Sequence, residues 1–107
     1  MMLNILWEFT VKEGSEAEFE KGYAAQGAWA QFFRACPQYR GTTLLRDSAH
    51  PRRYVTIDVW DDIESYEAFR AESVKEYNAL DVQFEALTES EKRIGVFAVA
   101  DADSAKA

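Results

Sequence analysis

At 107 residues the chain amounts to one domain, and a domain this short buries only about 60 to 70% of the surface its unfolded chain exposes. Apolar residues at 48% and aromatics at 14% exclude a disordered chain, while nineteen acids against twelve bases, a net charge of −7, repel nucleic-acid phosphates and anionic membrane surfaces. The absence of an apolar run near about 18 residues and of a basic-then-apolar leader predicts neither a membrane span nor export, hence a cytoplasmic protein. The single cysteine, Cys36, has no partner for an intrachain disulfide, and with one histidine there is no Cys/His set for a metal site, so none is expected.

Residues 3 to 11, LNILWEFTV, alternate with period two and predict a strand: Leu3, Ile5, Trp7, Phe9 and Val11 on one face, Asn4, Leu6, Glu8 and Thr10 on the other. Ser15 followed by Glu18 has the spacing of a capping box and opens a predicted helix over about 15 to 35, ended before Pro37. Phe19, Tyr23, Ala30 and Phe33 form its apolar stripe. Gly22 and Gly27 each weaken it by about 1 kcal/mol, which implies that another element or a ligand approaches closely there.

The segments 39 to 47 and 52 to 60 are rich in β-branched and aromatic residues and flank the turn cluster SAHP, predicting a hairpin. In its second strand Val55, Ile57 and Val59 share one face; Tyr54, Thr56, Asp58 and Trp60 share the other. Asp61 and Asp62 supply an N-cap and negative charge at the start of a second helix running to about residue 78, with Ile63, Tyr66, Phe69 or Arg70, Val74 and Tyr77 on its inner stripe. A short helical piece around Phe84 and Leu87 precedes a last strand over 93 to 100. Residues 1 to 100 thus read as one domain, with 101 to 107 as a flexible C-terminal tail.

Strand, helix, strand, strand, helix, strand with right-handed crossovers predicts an α+β, ferredoxin-like βαββαβ fold, its four-stranded antiparallel sheet ordered 4-1-3-2 with both helices on one face. The apolar sets Ile5, Trp7, Phe9 and Val55, Ile57, Val59 are assigned to the helix side. The opposite face then holds Leu6, Glu8, Tyr54, Thr56, Asp58 and Trp60, too apolar for water and too charged for a dry core, which predicts a homodimer closing over it.

Three stretches, GAWAQFFRACPQYRGTTLLRD, RRYVTIDVWDDIESYEAFR and YNALDVQFEALTESEKRIGVF, resemble the antibiotic biosynthesis monooxygenase superfamily over roughly residues 3 to 97. The resemblance implies a dimeric α+β barrel, and its members include cofactor-free oxygenases of polyketide-type phenols or quinols, haem-degrading enzymes and autoinducer-modifying enzymes. The Asn, Trp and His of the haem-degrading branch are not matched: the corresponding positions hold Leu6 and Trp7, Phe69, and Tyr77 with Asn78. His50 falls in the hairpin turn as a polar surface residue. The resemblance therefore implies a cofactor-independent monooxygenase of aromatic, polyketide-like or quinol molecules, needing no cofactor. The alternative is a non-enzymatic, dimeric ligand-binding or stress-associated barrel; a carboxylate-based isomerase or decarboxylase is a third reading.

Cofactor-free oxygenation requires an apolar slot for a flat phenol, an acceptor for its proton, and exclusion of water. Such a slot is expected between sheet and helices, lined by Trp7, Trp29, Phe33, Ile57, Tyr66, Phe69 and Tyr77, residues that equally well make an ordinary core. Glu8 and Asp58, on adjacent strands, either repel one another and supply a base of raised pKa, or pair with arginines and fix the dimer register. Period-two accounting sends Asp58 toward the partner subunit. No catalytic residue is assigned.

Overall fold

The computed structural model describes residues 2–100, and these form β1 (Leu3–Val11), α1 (Glu16–Tyr23), α2 (Ala28–Phe33), β2 (Tyr39–Arg46), β3 (Arg53–Trp60), α3 (Ile63–Glu72), α4 (Val74–Glu85) and β4 (Thr88–Ala98). The sheet order β2-β3-β1-β4, with every pairing antiparallel, is the expected 4-1-3-2 arrangement read from its other edge. The fold is α+β and ferredoxin-like. The tail expected over 101 to 107 lies outside the described residues. Among those described, no helix is long and apolar enough to cross a membrane.

Each predicted helix is broken in two. The first stops at Ala24, whose backbone is extended, and restarts after Gly27. A Cβ on Gly27 would lie 2.6 Å from the Lys21 carbonyl oxygen, and one on Gly22 would enter the ring of Phe84. The two glycines therefore admit a backbone turn and an aromatic ring where any side chain would collide. Ser15 makes no side-chain cap, so the capping box expected there does not form. Asp62 does cap, its Oδ1 accepting from the Ser65 N–H at 2.7 Å. The second break falls at Ser73 and turns Val74 outward to 50% exposure, against its expected inner position. The short piece around Phe84 becomes the end of α4, and β4 begins five residues before the expected 93.

The largest correction concerns β3. Register fixes the faces: Ile5 lies opposite Asp58, Trp7 opposite Thr56 and Phe9 opposite Tyr54, while Leu6 faces Ile57 and Glu8 faces Val55. Directly paired residues share a face, so Tyr54, Thr56, Asp58 and Trp60 lie with Ile5, Trp7 and Phe9 under the helices. All four are buried. Val55, Ile57 and Val59 occupy the open face with Leu6, Leu45 and Phe97, and Leu45 and Phe97 there are both 47% exposed. Apolarity chose the wrong set because β3 is greasy on both faces. The bulky aromatics of β3 fill the deep sheet-to-helix space, and its flat β-branched residues pave the outside.

The core is a belt of rings in two groups. At one end Phe9, Phe19, Tyr23, Tyr54 and Phe84 interlock, with Phe19 stacked on Tyr23 at 4.2 Å. At the other, Trp60 meets Phe33 at 5.4 Å, Tyr39 at 5.3 Å and Tyr66 at 5.3 Å. Between Tyr54 and Trp60 on β3 stand only Thr56 and Asp58 on this face, two small polar side chains that leave a gap between the two groups of rings.

Candidate functional site

That gap is a cavity. It encloses about 450 Å³ of space not filled by atoms, part of it open to solvent, with Trp7, Phe9, Thr42, Thr56, Asp58 and Glu91 on the sheet side and Tyr23, Trp29, Phe33, Tyr66, Tyr77 and Asp81 on the helix side. Apolar walls carrying a few polar groups are the pattern of a small-molecule site. Of the slot residues expected from sequence, Trp7, Trp29, Phe33, Tyr66 and Tyr77 line the cavity. Phe69 packs behind it, 5.0 Å from Phe32 and 6.1 Å from Trp60. Ile57 is on the opposite face of the sheet.

Of the residues expected on the dimer face, Leu6 and Glu8 lie on the open face of the sheet. Tyr54, Thr56, Asp58 and Trp60 do not. Glu8 and Asp58 consequently never approach one another, because they stand on opposite faces of the sheet. Glu8 accepts a hydrogen bond from Arg53 Nε at 2.8 Å, which holds its carboxyl below the usual range. Arg53 also reaches Asp47 at 3.0 Å, and His50, 76% exposed, lies beside Asp47 in the turn. The pairing alternative thus describes Glu8, and the raised-pKa alternative describes Asp58 with a different cause.

Asp58 is buried among rings, and the loss of hydration pushes its carboxyl up to about 6, against the smaller opposing effect of a hydrogen bond from Thr42. Thr42 Oγ1 donates to Asp58 Oδ1 at 2.6 Å, and Tyr39 shares a short hydrogen bond with the same hydroxyl. Oδ2 accepts no bond among the described residues, yet it is not among the sealed, unsatisfied atoms of the interior. One oxygen of this carboxylate is therefore held and the other is free toward the cavity. Among the described residues no lysine, arginine or histidine lines the cavity to neutralise it.

Tyr23 and Tyr77, beside it, stay protonated. Burial raises Tyr23 and Tyr77 far above the ordinary tyrosine value, Tyr66 adding to the effect at Tyr77. Glu91 is raised by lost hydration and then by the carboxylates of Asp81 and Glu85. Trp29 stands edge-on to Tyr77 at 5.1 Å, with Arg70 stacked on the outer side of that tyrosine ring at 4.5 Å. The Trp29 indole N–H is buried without a hydrogen-bond partner among the described residues, yet it lies close enough to Tyr23 to oppose part of the rise at that phenol. An aromatic slot with one free carboxylate oxygen in its floor can receive a flat hydroxylated ring, take its proton, and shield the resulting anion from water.

Sequence reasoning missed Phe9, Tyr23, Thr42, Thr56, Asp58, Asp81 and Glu91 as lining residues. Pairing each β3 residue with its partner on β1, rather than sorting β3 by apolarity, would have found the two on β3.

The family model described as antibiotic biosynthesis monooxygenase matches residues 2–79. No curated protein sequence matches the chain. Among solved structures, SnoaB from Streptomyces nogalater, a cofactor-independent oxygenase, superposes with a TM-score of 0.76 at 28% identity over 92% of each chain. A point mutant of SnoaB gives 0.78 at 28% identity, over 92% of this chain and 93% of that one. A NIPSNAP family protein from Agrobacterium tumefaciens shares the fold alone, with a TM-score of 0.71 at 13% identity over 95% of this chain and 96% of that one.

Proposed function

The chain belongs to the antibiotic biosynthesis monooxygenase family, and on that premise we propose that it is a cofactor-independent oxygenase of a flat, electron-rich phenol or quinol, with Asp58 as the base. The observation that carries the reading is the free Oδ2 of a buried carboxylate in the floor of an aromatic cavity. Similarity to SnoaB supports the reaction class. The substrate, as the enol tautomer of a ring CH₂ ketone, gives its hydroxyl proton to Asp58, leaving an anion whose charge reaches the former CH₂ carbon. That anion passes an electron to dioxygen, superoxide and the radical combine at that carbon, Asp58 returns its proton to the peroxide, and water leaves with the carbon's remaining hydrogen. One oxygen atom ends in a new carbonyl and the other in water, so the CH₂ group and dioxygen supply all the atoms and electrons.

The magnitudes favour a base of raised pKa. Taking a proton from a phenol of pKa about 10 costs about 5 kcal/mol with a carboxylate titrating near 6, against about 8 kcal/mol with an ordinary aspartate. Either must fit under a total barrier of about 16 kcal/mol for a turnover of roughly 10 per second, and the lower cost leaves room for the oxygen step. The proton neutralises Asp58 as the substrate becomes anionic, so base and substrate never both carry a full negative charge.

The open sheet face, with Leu6, Leu45, Val55, Ile57, Val59 and Phe97, is covered in this reading by a second copy of the chain, forming a dimeric α+β barrel. Oxygen uptake with a panel of anthrones and hydroquinones, run beside thermal-shift binding of the same compounds, tests the proposal. Uptake abolished by Asp58→Asn supports it. Binding without uptake across the panel favours a ligand-binding barrel instead.

A further inference from the structure

β2 is not a regular strand. Tyr39 pairs with Trp60 and Gly41 with Val59, so Arg40 is an extra residue with no opposite number, and Gly41 has φ +135°, a conformation open to glycine and strained for other residues. Residues three apart on a regular strand point to opposite faces. The bulge cancels that alternation, so Tyr39 and Thr42 stand side by side on the helix face, opposite Trp60 and Asp58. Arg40, displaced outward, clamps the bulge through two bonds to Asp61, Nε to Oδ1 at 2.6 Å and Nη2 to Oδ2 at 2.9 Å. The Asp61 N–H in turn donates to the Gln38 carbonyl at 2.9 Å. A β-bulge is thus what delivers a second hydroxyl to the hydroxyl that touches the carboxylate.

We propose that Thr42, set by this bulge and backed by Tyr39, is a positioning residue that holds Asp58 Oδ1 as an acceptor and so leaves Oδ2 as the basic oxygen presented to substrate. A threonine hydroxyl has one proton. With Tyr39 donating into Thr42 Oγ1, the threonine proton is committed to Asp58 Oδ1, and the carboxylate cannot turn without breaking that bond. The same pair of bonds favours the charged form of Asp58, partly offsetting the burial that disfavours it. Thr42 therefore tunes as well as orients. The inference rests on the reading of Asp58 as the base.

Other titratable groups around the cavity do not substitute for this bond. Tyr23 on α1, Tyr66 on α3, and Tyr77 and Asp81 on α4 face the cavity from the helices, Glu91 faces it from β4, and α2 contributes no titratable wall residue. Arg34, at the end of α2, acts on Tyr39 rather than on Asp58. Thr42 is the one side chain among the described residues that donates to the Asp58 carboxylate.

The test is side-chain carboxyl NMR of the full-length protein, titrating Asp58 in the wild type and in Thr42→Val, Thr42→Ser and Tyr39→Phe. Loss of a hydrogen bond to a charged group predicts a rise of about one pH unit in the Asp58 midpoint for Thr42→Val. Restoration is expected in Thr42→Ser, with a smaller rise in Tyr39→Phe. An unchanged midpoint in Thr42→Val overturns the proposal. If that variant does not fold, an unchanged midpoint in Tyr39→Phe together with a lost one in Thr42→Ser overturns it equally. The titration needs no substrate, so its failure is distinct from failure of the oxygenase reading, which oxygen uptake decides. In turnover the acid limb of kcat/KM moves with the midpoint, whereas a merely structural threonine would lower kcat at every pH and leave the limb in place.

Discussion

Replacing Asp58 by Asn separates function from stability in opposite directions. The substitution keeps the shape and an oxygen to accept from Thr42, but it removes the charge that burial opposes. A carboxyl pushed up to about 6 when folded, against an ordinary value of 3.8 when unfolded, gives the folded state more bound protons between those values. Stability contributed by the protonated form is thus present below about pH 4 and lost as pH rises through about 6. At pH 7 the ionised Asp58 costs the fold about 3 kcal/mol as an upper figure. Asp58→Asn should therefore raise the thermal midpoint at pH 7 by several degrees, flatten stability between pH 4 and 6, and lower turnover by about 10² to 10⁴, the usual contribution of a general base. Melts from pH 4 to 8 at fixed protein concentration, with oxygen-electrode rates on the same samples, measure both. Unchanged turnover, or a destabilised variant at pH 7, would refute the reasoning.

Three further outcomes follow from the same geometry. Ile57→Glu puts a charge in the open sheet face and should give a folded monomer by sedimentation, whereas Asp58→Asn should sediment as the wild-type dimer; a folded wild-type monomer at micromolar concentration would contradict the covering of this face. Gly22→Ala drives a methyl group into the Phe84 ring and should cost about 1 to 3 kcal/mol by overpacking, outweighing the roughly 1 kcal/mol gained in helix propensity, with thermal melts as the check. With Asp58, Asp81 and Glu91 all on the cavity wall, a carboxylated hydroquinone should bind about tenfold more weakly than its methyl ester. Calorimetry should find that gap narrowed in the double variant Asp81→Asn, Glu91→Gln.

Element order, strand order and the hairpin were legible because period-two alternation and the turn cluster at 48 to 51 are local signals. The helix breaks were not. Gly22 and Gly27 advertised a close approach, but only the packed position of Phe84 and the fold-back of residues 24 to 27 say what approaches. Bonds from Arg34 to the Ala25 carbonyl and from Gln31 to the Gln26 carbonyl secure that turn, and they join residues whose proximity no periodicity encodes.

The aromatic half of the site could be read because rings at helical spacing point inward whatever they line. The polar half was lost to a single parity decision. Val55, Ile57 and Val59 look like a core face, and in a sheet with one wet side they would be one; here the outer face is itself apolar, so hydrophobicity does not distinguish inside from outside. Asp58 lies in the expected strand but on the face opposite to the one its alternation predicts. The bulge at Arg40 and Gly41 was equally out of reach, since a glycine inside a strand marks several kinds of irregularity and only the register reveals that this one brings Tyr39 beside Thr42.

The most direct measurement is a crystal structure of the protein with a non-oxidisable flat phenol bound. The account predicts the ring between the sheet floor and the Trp29–Tyr77 wall, with the phenol oxygen within about 3 Å of Asp58 Oδ2. A phenol bound elsewhere, with the Asp58 cavity closed by its own side chains, would contradict it.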